Sequence, residues 1–382
     1  MSTDLFQLCL GPTVTPLAVA LATGQYNVNS VEEEGLTPFL FVVKFVYDLM
    51  GRQEHALHVL SVLRAFGASL ERRFGNGDTA LCFAARRDYL PLVQLLLELG
   101  AEVDVENTGR LHDTPLMQAT NHGSVEMVRM LLLYRCKDEQ EQEQVSQQEQ
   151  VQQEQVQQER LSPIMIACAR GHREIARMLL SDDPACIRHT DRRHTNLLML
   201  SVLGKNPALF IDLLCQLNLD AADDDGNHVL HFAAGHDEPE MVDAVLCSNP
   251  SLLDRRNHLG ETPMMVTTSL RVAQLLHARG GDVTLVDYRG FSVLVHATAS
   301  HRPHLVRWLL SFDEIDDDQM LFAELATSSE TMRQLVNGER LWRRRREYIR
   351  WQEHHDVVES HTNPVLRYLC DGFVLRDVCS YL

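Results

Sequence analysis

Three clusters of acidic and histidine residues are the parts of this chain whose types and spacing could do chemistry. Asp223–Asp225 and Asp316–Asp318 each offer three adjacent carboxylates, and Glu353–Asp356 places two histidines between two acids, with His361 nearby. Carboxylate oxygens and imidazole nitrogens are common ligands of divalent metals. Adjacent helical histidines point about 100° apart, and the first triplet precedes Gly226 as in a tight turn. We therefore interpret all three clusters as solvated structure and predict neither a metal site nor a cofactor.

Catalytic motifs are missing from the sequence. It contains no phosphate-cradling glycine-rich loop, no G-x-S-x-G elbow and no protein-kinase motif set. Its nine cysteines are scattered singly, without a CxxC pair. We interpret Cys82, Cys168 and Cys247, which occupy apolar helix positions, as small buried hydrophobes. The sequence thus predicts a reduced, intracellular protein that is not an enzyme.

Charge and hydropathy narrow the classes of partner. A formal net charge of −18 argues against a nucleic-acid-binding body and favours basic segments of a protein partner. The most apolar stretch, residues 36–50, is interrupted by Lys44 and Asp48 and is too short to cross a bilayer. The start of the chain lacks the pattern of a secretory signal. We predict no membrane partner and a cytoplasmic location, with the nucleus as an alternative.

A phrase of about 33 residues recurs along the chain and must supply the elements that position these side chains. In its clearest copy, Thr114-Pro115-Leu116 opens an apolar stretch, His122-Gly123 makes a turn, and a second apolar stretch ends at Leu133. The Thr can cap a first helix, and Pro at the next position lacks only an N–H that has no helical partner. A leucine-rich second helix can cover its apolar face only by stacking on the next unit. Further copies begin at Thr37, Thr79, Ser162, Thr195, His228, Thr262 and Ser292, with a truncated one at Thr15.

This pattern resembles the ankyrin repeat. The resemblance implies an all-α ankyrin-repeat solenoid of about eight helix-turn-helix units with a C-terminal helical cap. It also implies a non-catalytic scaffold or adaptor that binds a protein partner on its concave face, and we expect a monomer. The family's TPLH phrase keeps its histidine only at His231. The other copies carry an apolar residue there: Ala18, Leu40, Cys82, Met117, Met165, Leu198, Met265 and Val295.

Composition divides the chain into five segments. Residues 1–34 form an N-terminal capping segment with a degenerate repeat, and 35–137 form a first block of repeats. Residues 138–160 are a Gln/Glu-rich insertion, which we interpret as solvated chain, with a partner-binding coiled coil as the alternative. A second block of repeats covers 161–312, and a C-terminal helical region covers 313–382.

The resemblance places partner contacts at hairpin tips and first helices. Exposed aromatic and arginine side chains are frequent anchors at such surfaces. The tip positions that we predict to bind a partner are Arg110, His112, Asp113, Arg192, Arg193, His194, Asp225, Asn227, Glu261, Tyr288, Arg289 and Phe291.

A run of arginines follows the last repeat. Leu341, Trp342 and Tyr348 fall on one side of a helix, so we favour an amphipathic helix docked on the acidic body. The alternatives are a nuclear-localisation signal and a nucleic-acid contact. The residues of that candidate signal are Arg343, Arg344, Arg345 and Arg346.

Near the C-terminus, Leu366, Cys370 and Val374 stand four residues apart, on one face of a helix. The spacing resembles the elongin-C-binding box of SOCS-box substrate receptors, which would make the chain the substrate-recognition subunit of an elongin/cullin ubiquitin ligase. A helix that caps the array is the alternative that we favour. A third functional hypothesis is a nuclear transcription regulator, resembling the ankyrin inhibitors of transcription factors.

Overall fold

In the part of the chain that this computed structural model describes, twenty α-helices and two short 3-10 helices provide the regular structure. It describes residues 2–11, 13–24, 26–32, 35–45, 53–108, 113–142 and 161–354. Within those ranges, β structure is limited to isolated antiparallel bridges at hairpin tips. The helices fall into two compact units, Met1–Gly281 and Asp282–Leu382. The predicted all-α repeat fold with a helical C-terminal cap is confirmed.

The first unit holds an N-terminal helix pair followed by seven two-helix repeats. Its helices are α1 Ser2–Cys9, α2 Thr15–Ala22, α3 Pro38–Phe45, α4 Gln53–Ala65, α5 Ala80–Arg86, α6 Leu90–Glu98, α7 Pro115–His122, α8 Val125–Gln142, α9 Pro163–Arg170, α10 Arg173–Asp182, α11 Leu197–Leu203, α12 Pro207–Leu214, α13 Val229–Gly235, α14 Pro239–Ser248, α15 Pro263–Val266 and α16 Leu270–Ala278. The 3-10 helices Pro184–Arg188 and Pro250–Leu252 follow α10 and α14.

The first helices of the repeats begin where a side chain can cap them. The hydroxyls of Thr79 and Thr114 accept hydrogen bonds from the backbone N–H three residues later, at 3.3 and 3.2 Å. In the repeat predicted to start at Thr195 the cap is one residue further on, because the side-chain oxygen of Asn196 accepts the N–H of Met199 at 3.0 Å. Thr262 makes no such bond, although proline still starts its helix. The predicted starting positions are therefore right to within one residue.

Stacking in the first unit produces two rows of helices. First helices pack on first helices, from α5 to α7, α9, α11, α13 and α15, and second helices likewise from α6 to α16. The first row has fully buried alanines at equivalent places, among them Ala84, Ala119, Ala167 and Ala233. Because these side chains are small, the helices can approach closely. Large leucines of the second row, such as Leu96 and Leu131, fill the space between repeats.

The repeat beginning at Thr262 is shortened, and the next copy starts only 30 residues later, at Ser292. Its first helix, α15, has four residues, and residues Thr267–Ser269 connect it to α16. The Ser269 hydroxyl accepts the N–H of Arg271 at 3.2 Å and starts the second helix. One turn of the first helix is therefore lost, while the cap of the second is retained.

The second unit contains the last repeat and a closing helix pair: α17 Val293–Ala299, α18 Pro303–Leu309, α19 Asp317–Ala326 and α20 Glu330–His354. The guanidinium of Arg343 on α20 lies almost wholly buried. It donates to the carbonyls of Ile315 and Phe312, at 2.7 and 2.8 Å, and also to that of Leu310. These bonds join α20 to the end of α18 and the turn before α19. They support the docked amphipathic helix that the sequence favours.

Two expectations about side-chain burial have different outcomes. Cys82 and Cys168 are buried as predicted, and burial raises the pKa of the Cys168 thiol to about 12. Cys247 is exposed on α14 with its sulfur 3.6 Å from Arg279, so its prediction as a buried hydrophobe was wrong. Among the described helices, none is both long and apolar enough to cross a membrane.

Candidate functional site

In four of the hairpin tips between successive repeats, one acceptor side chain holds the turn. At Asp191, Asp223 and Asn257 of the first unit, one side-chain oxygen accepts the backbone N–H groups two and four residues later. In the second unit Asp287 makes the same pair of bonds, at 2.8 and 2.9 Å. Two bonds to one oxygen fix the turn in a single conformation. The tips therefore present their remaining side chains from a rigid backbone.

Neighbouring tips of the first unit are also bonded to one another. The N–H of Asp224 donates to the carbonyl of Arg193, and that of His258 to the carbonyl of Asp225, both at 2.9 Å. The Asn257 amide donates to the Asn227 side chain at 3.0 Å. These contacts hold consecutive tips at a fixed spacing, so the face that they line is preorganised.

His194 occupies the one position of its tip where the neighbouring tips use glycine. Its φ is +56°, and the equivalent Gly226 and Gly260 have φ values of +77° and +81°. A histidine in this left-handed region is uncommon and strained. Its exposed ring lies 2.7 Å from the Asp224 carboxylate. His194 therefore contributes a polar contact between two tips at the cost of backbone strain.

A groove of about 1050 Å³ lies on the face formed by first helices and tips of the first unit. Four consecutive repeats contribute to it, those whose first helices are α5, α7, α9 and α11. Its floor is apolar and consists of Met117, Met165, Ile166, Ala169 and Leu200, with Leu161 at one edge. Its walls carry polar side chains, among them Asn76, Arg86, Asn107, Asp113, Gln118, Asn121, Arg170, Asp191, Arg192 and Arg193.

One wall of the groove is held by the buried carboxylate of Asp78. Its two oxygens accept the guanidinium of Arg86 at 2.6 and 2.7 Å, the Asn107 amide at 3.1 Å and the Asn76 amide at 2.8 Å. A buried carboxylate is tolerated because it is fully paired in this way. The network spans two tips and a first helix, so Arg86, Asn76 and Asn107 have little freedom to move.

Among the described residues that line the groove, the exposed charged side chains are all positive. Arg170, Arg192 and Arg193 are exposed, whereas Asp113 and Asp191 are half-buried. The Asp113 carboxylate accepts the Gln118 amide at 2.6 Å, and burial raises the pKa of Asp113. One oxygen of Asp191 accepts two backbone N–H groups of its own tip. The groove thus combines an apolar floor with a basic rim, in a chain whose net charge is −18.

The predicted partner-binding residues divide by place. Asp113, Arg192 and Arg193 line the groove. His194 belongs to the same tip as Arg192 and Arg193, and the other predicted positions of the first unit lie in the following tips: Asp225, Asn227 and Glu261. Arg110 and His112 lie outside the described residues.

In the second unit, Tyr288 at its tip is 71% exposed, and the Arg289 guanidinium lies over the Phe291 ring at 5.1 Å. Phe291 is only half-buried, and it lies in the tip that the Asp287 carboxylate holds. These three predicted positions form a small surface of their own.

The residues of the groove floor are not among those that the sequence analysis predicts to bind a partner. Ile166, Ala169 and Arg170 stand three and four residues apart on α9, so they share one face of that helix. That periodicity was visible beforehand. It could not be separated from the pattern of buried positions on the same short helix.

The acidic clusters are used by the fold. Asp223 is buried and both its oxygens bond within its tip, including the Asn227 amide at 3.2 Å. Asp316 caps α19 by accepting the Gln319 N–H at 2.7 Å, and Asp317 pairs with Arg344. These bonds support the interpretation of both triplets as structural, but Asp223 is buried and its prediction as a solvated residue was wrong. Of the Glu353–Asp356 cluster, the structure describes only the backbone of its first two residues.

The arginine run lies within the described residues, and the C-terminal motif does not. Arg343 is buried, Arg346 pairs with Asp313 at 2.9 Å and lies over the Trp342 ring, and Arg345 is exposed. Three of the four arginines therefore have contacts within the second unit. The candidate elongin-binding residues Leu366, Cys370 and Val374 lie outside the described residues.

His231, the one retained histidine of the TPLH phrase, is a buried polar link between repeats. Its Nδ1 accepts the His228 N–H at 3.2 Å, and its Nε2 lies 3.1 Å from the Glu261 carbonyl, which it can reach only as a donor. Burial lowers the pKa of His231 to about 4, and burial also lowers the pKa of His228. The folded protein therefore keeps His231 neutral near neutral pH.

This burial predicts acid sensitivity. Between the folded pKa of about 4 and the unfolded value of about 6.5, the unfolded state binds the extra proton, so stability falls as pH decreases through that window. The free energy of unfolding should drop by about 2 kcal/mol from pH 7 to pH 5 through His231 alone. Urea titrations of wild type and His231→Met at both pH values measure it. Methionine occupies the equivalent place at Met165, so the variant should lose this pH dependence. An equal drop in the free energy of unfolding for both proteins would contradict the role of His231.

Comparison with known proteins points to one repeat type. A family profile described as ankyrin repeats (3 copies) matches residues 50–142 and 164–256. A protein of Oryza sativa subsp. japonica, probable E3 ubiquitin-protein ligase XBOS33, is 49% identical over 63 residues, which are 16% of this chain and 12% of that protein. Ankyrin repeat domain-containing protein SAT10 of Stachybotrys chartarum is 26% identical over 227 residues, 50% of this chain and 11% of that one. The chain thus spans about a tenth of the length of these relatives.

Two solved repeat domains are similar to parts of this chain. The human ASB11 ankyrin repeat domain is 24% identical, with 63% of this chain and 98% of that chain covered and a TM-score of 0.48. The ankyrin repeat domain of Bcl-3 is 21% identical, with 64% and 100% covered and a TM-score of 0.45.

Proposed function

Because this chain is an ankyrin-repeat protein, we propose that it is a scaffold or adaptor that binds a partner protein in the groove of the first unit. Ankyrin repeats are protein-interaction modules and are typically non-catalytic, so we also propose that the chain performs no reaction of its own. The single observation that carries the proposal is the groove itself. It offers an apolar floor and a rigid polar wall across four repeats.

The geometry of the groove suits a protein segment. Hot spots of interfaces are apolar or arginine anchors in places from which water is excluded, surrounded by polar groups. Ile166 and Met165 supply the apolar part, and Arg86 is already fixed by Asp78, so little side-chain entropy is lost on binding. The second helices lie in the other row, which makes the first helices and tips the proposed binding face.

We expect binding to depend on the groove floor. Replacing Ile166 with Asp places a charge against apolar partner atoms and should reduce recovery of the partner about tenfold or more. The matched control is Ile211→Asp, since Ile211 is 52% exposed on the second helix α12. Quantitative affinity capture from cells of the source organism compares the two variants with wild type.

Circular dichroism and thermal unfolding of both variants must first match those of wild type. If Ile166→Asp keeps the partners of the wild type, the groove is not the binding face. If Ile211→Asp loses them equally, the second helices carry the contact instead.

A more specific alternative is a ubiquitin-ligase receptor that recruits elongin C. It is supported by the spacing of Leu366, Cys370 and Val374, and the short match to a protein named as a probable E3 ligase adds little to it. Affinity capture with Leu366→Ala/Cys370→Ala decides this alternative: elongins that are recovered by the wild type and lost with the variant would establish it. Recovery of identical partners without elongins would leave the tail as a structural cap.

A nuclear regulator is the remaining alternative. It rests on Arg343, Arg344, Arg345 and Arg346 as an import signal. The contacts of Arg343 and Arg346 within the second unit favour a structural role for this segment. We therefore propose a cytoplasmic protein, with a monomer as the expected state.

A further inference from the structure

We propose that the occupant of the groove is an acidic protein segment that carries an apolar side chain between its carboxylates. This inference rests on the function proposed above and names the chemistry of its partner. It is the reverse of what the net charge of −18 suggests for the chain as a whole.

The first argument is the placement of charge. Arg170 and Arg193 are exposed at the groove and extend from different elements, the end of α9 and the following tip. A guanidinium binds a carboxylate through two parallel N–H donors. Arginines on two elements can therefore hold two carboxylates of one extended segment.

The second argument is that the acids of the groove are half-buried and hydrogen-bonded within the protein. The Asp113 carboxylate accepts the Gln118 amide, and one Asp191 oxygen accepts two backbone N–H groups of its tip. Asp78 neutralises Arg86 within the wall. Of the charged side chains that the structure describes at this groove, the exposed ones are arginines, and an acidic segment complements them.

The third argument separates a protein segment from a nucleic acid. The floor of Met165, Ile166, Ala169 and Leu200 is aliphatic, without an aromatic platform on which bases could stack. An aliphatic floor instead suits a leucine, isoleucine or similar partner side chain. The acidic chain as a whole would also repel a phosphate backbone at long range, whereas a short acidic segment meets mainly the local rim.

The test is a selection from a random peptide library displayed on phage, with the full chain as bait and Ile166→Asp as the subtractive bait. The peptides enriched on wild type only should be more acidic than the input library and should contain an aliphatic residue. A fluorescein-labelled copy of the most enriched peptide is then titrated by anisotropy at low and high salt. Arg170→Glu/Arg193→Glu should weaken its Kd by about tenfold or more, and high salt should weaken wild-type binding.

The matched control is Arg188→Glu/Arg271→Glu, which changes the net charge by the same amount at exposed arginines that do not line the groove. It should change Kd by less than about twofold, as expected for a distant surface charge. If the enriched peptides depend on Ile166 but are neutral or basic, the acidic partner is wrong and the groove function stands. If no peptide distinguishes wild type from Ile166→Asp, both proposals fail.

Two further results would overturn the inference. One is an unchanged Kd in the Arg170→Glu/Arg193→Glu variant with unchanged circular dichroism. The other is tighter binding of a fluorescein-labelled oligouridylate than of any selected peptide, lost in the same variant, which would assign the rim to RNA.

Discussion

Replacing Gly171 with alanine is expected to lower the free energy of unfolding by about 2–5 kcal/mol. Gly171 ends α9 with a φ of +73°, and a Cβ there would lie 2.2 Å from the carbonyl oxygen of Gly204 in the next repeat. The left-handed backbone costs an alanine about 1–2 kcal/mol. The clash must also push two backbones apart, which typically costs about 1–3 kcal/mol more. The hydrogen bond that the Asn206 side-chain amide donates to the Gly171 carbonyl, 2.9 Å long, would be strained by the same movement.

Gly100→Ala is the control that separates these two costs. Gly100 has a φ of +83°, yet a Cβ there would meet nothing within 4 Å. Its variant should lose only the left-handed cost of about 1–2 kcal/mol. Urea unfolding followed by far-UV circular dichroism gives both values, with the m-value as a check that the transition itself is unchanged. Equal losses in the two variants would mean that the repeats can separate at Gly171 without cost.

Most of the fold follows from the sequence because each repeat satisfies its own local rules. The Thr-Pro pairs place helix starts, the alanines mark the row of first helices, and the leucines mark the second row. Thr195 shows the limit of this argument. It aligns with the other starting residues, but Asn196 is the better acceptor in the local geometry and takes the cap.

The side chains that hold the four hairpin tips follow a pattern that is present in the sequence but that the sequence analysis does not predict. Asp191, Asp223, Asn257 and Asp287 each stand five residues before the capping residue of the next helix. Short side chains that can bond their own backbone are typical of turns. The sequence predicts a turn at Asp223–Asp225, and an Asp or Asn recurs at the place of Asp223 in the other three tips.

The candidate groove could not be derived from the sequence in the same way. Its basic rim depends on which charges point out, and Asp113 and Asp191 count equally with the arginines until their hydrogen bonds are known. The total charge of −18 therefore predicts the wrong sign for this one surface. Cys247 illustrates the same limit, since a helix of alternating burial leaves single positions undecided between core and solvent.

Arg343→Met is expected to destabilise the second unit by about 3–5 kcal/mol, the usual cost of removing one partner from a buried charged network. The Arg343 guanidinium donates to carbonyls of Leu310, Phe312 and Ile315, and its Nε donates to Glu339 at 3.2 Å. Methionine fills similar volume but leaves these acceptors without their donor. All three tryptophans of the chain lie in residues 282–382, so tryptophan emission during urea unfolding follows this unit selectively.

Arg345→Met is the matched control, because Arg345 is exposed two residues away and its loss should change stability by no more than about 0.5 kcal/mol. Similar midpoints for the two variants would contradict the buried role of Arg343.

The difference between Arg343 and Arg345 also decides how the nuclear alternative can be tested. An alanine series that includes Arg343 would confuse a lost import signal with an unfolded cap. Arg345 together with Arg344, whose exposed pair with Asp317 contributes little, can be replaced without that ambiguity. Unchanged localisation of that double variant would remove the import signal, whereas nuclear exclusion of a folded double variant would support it.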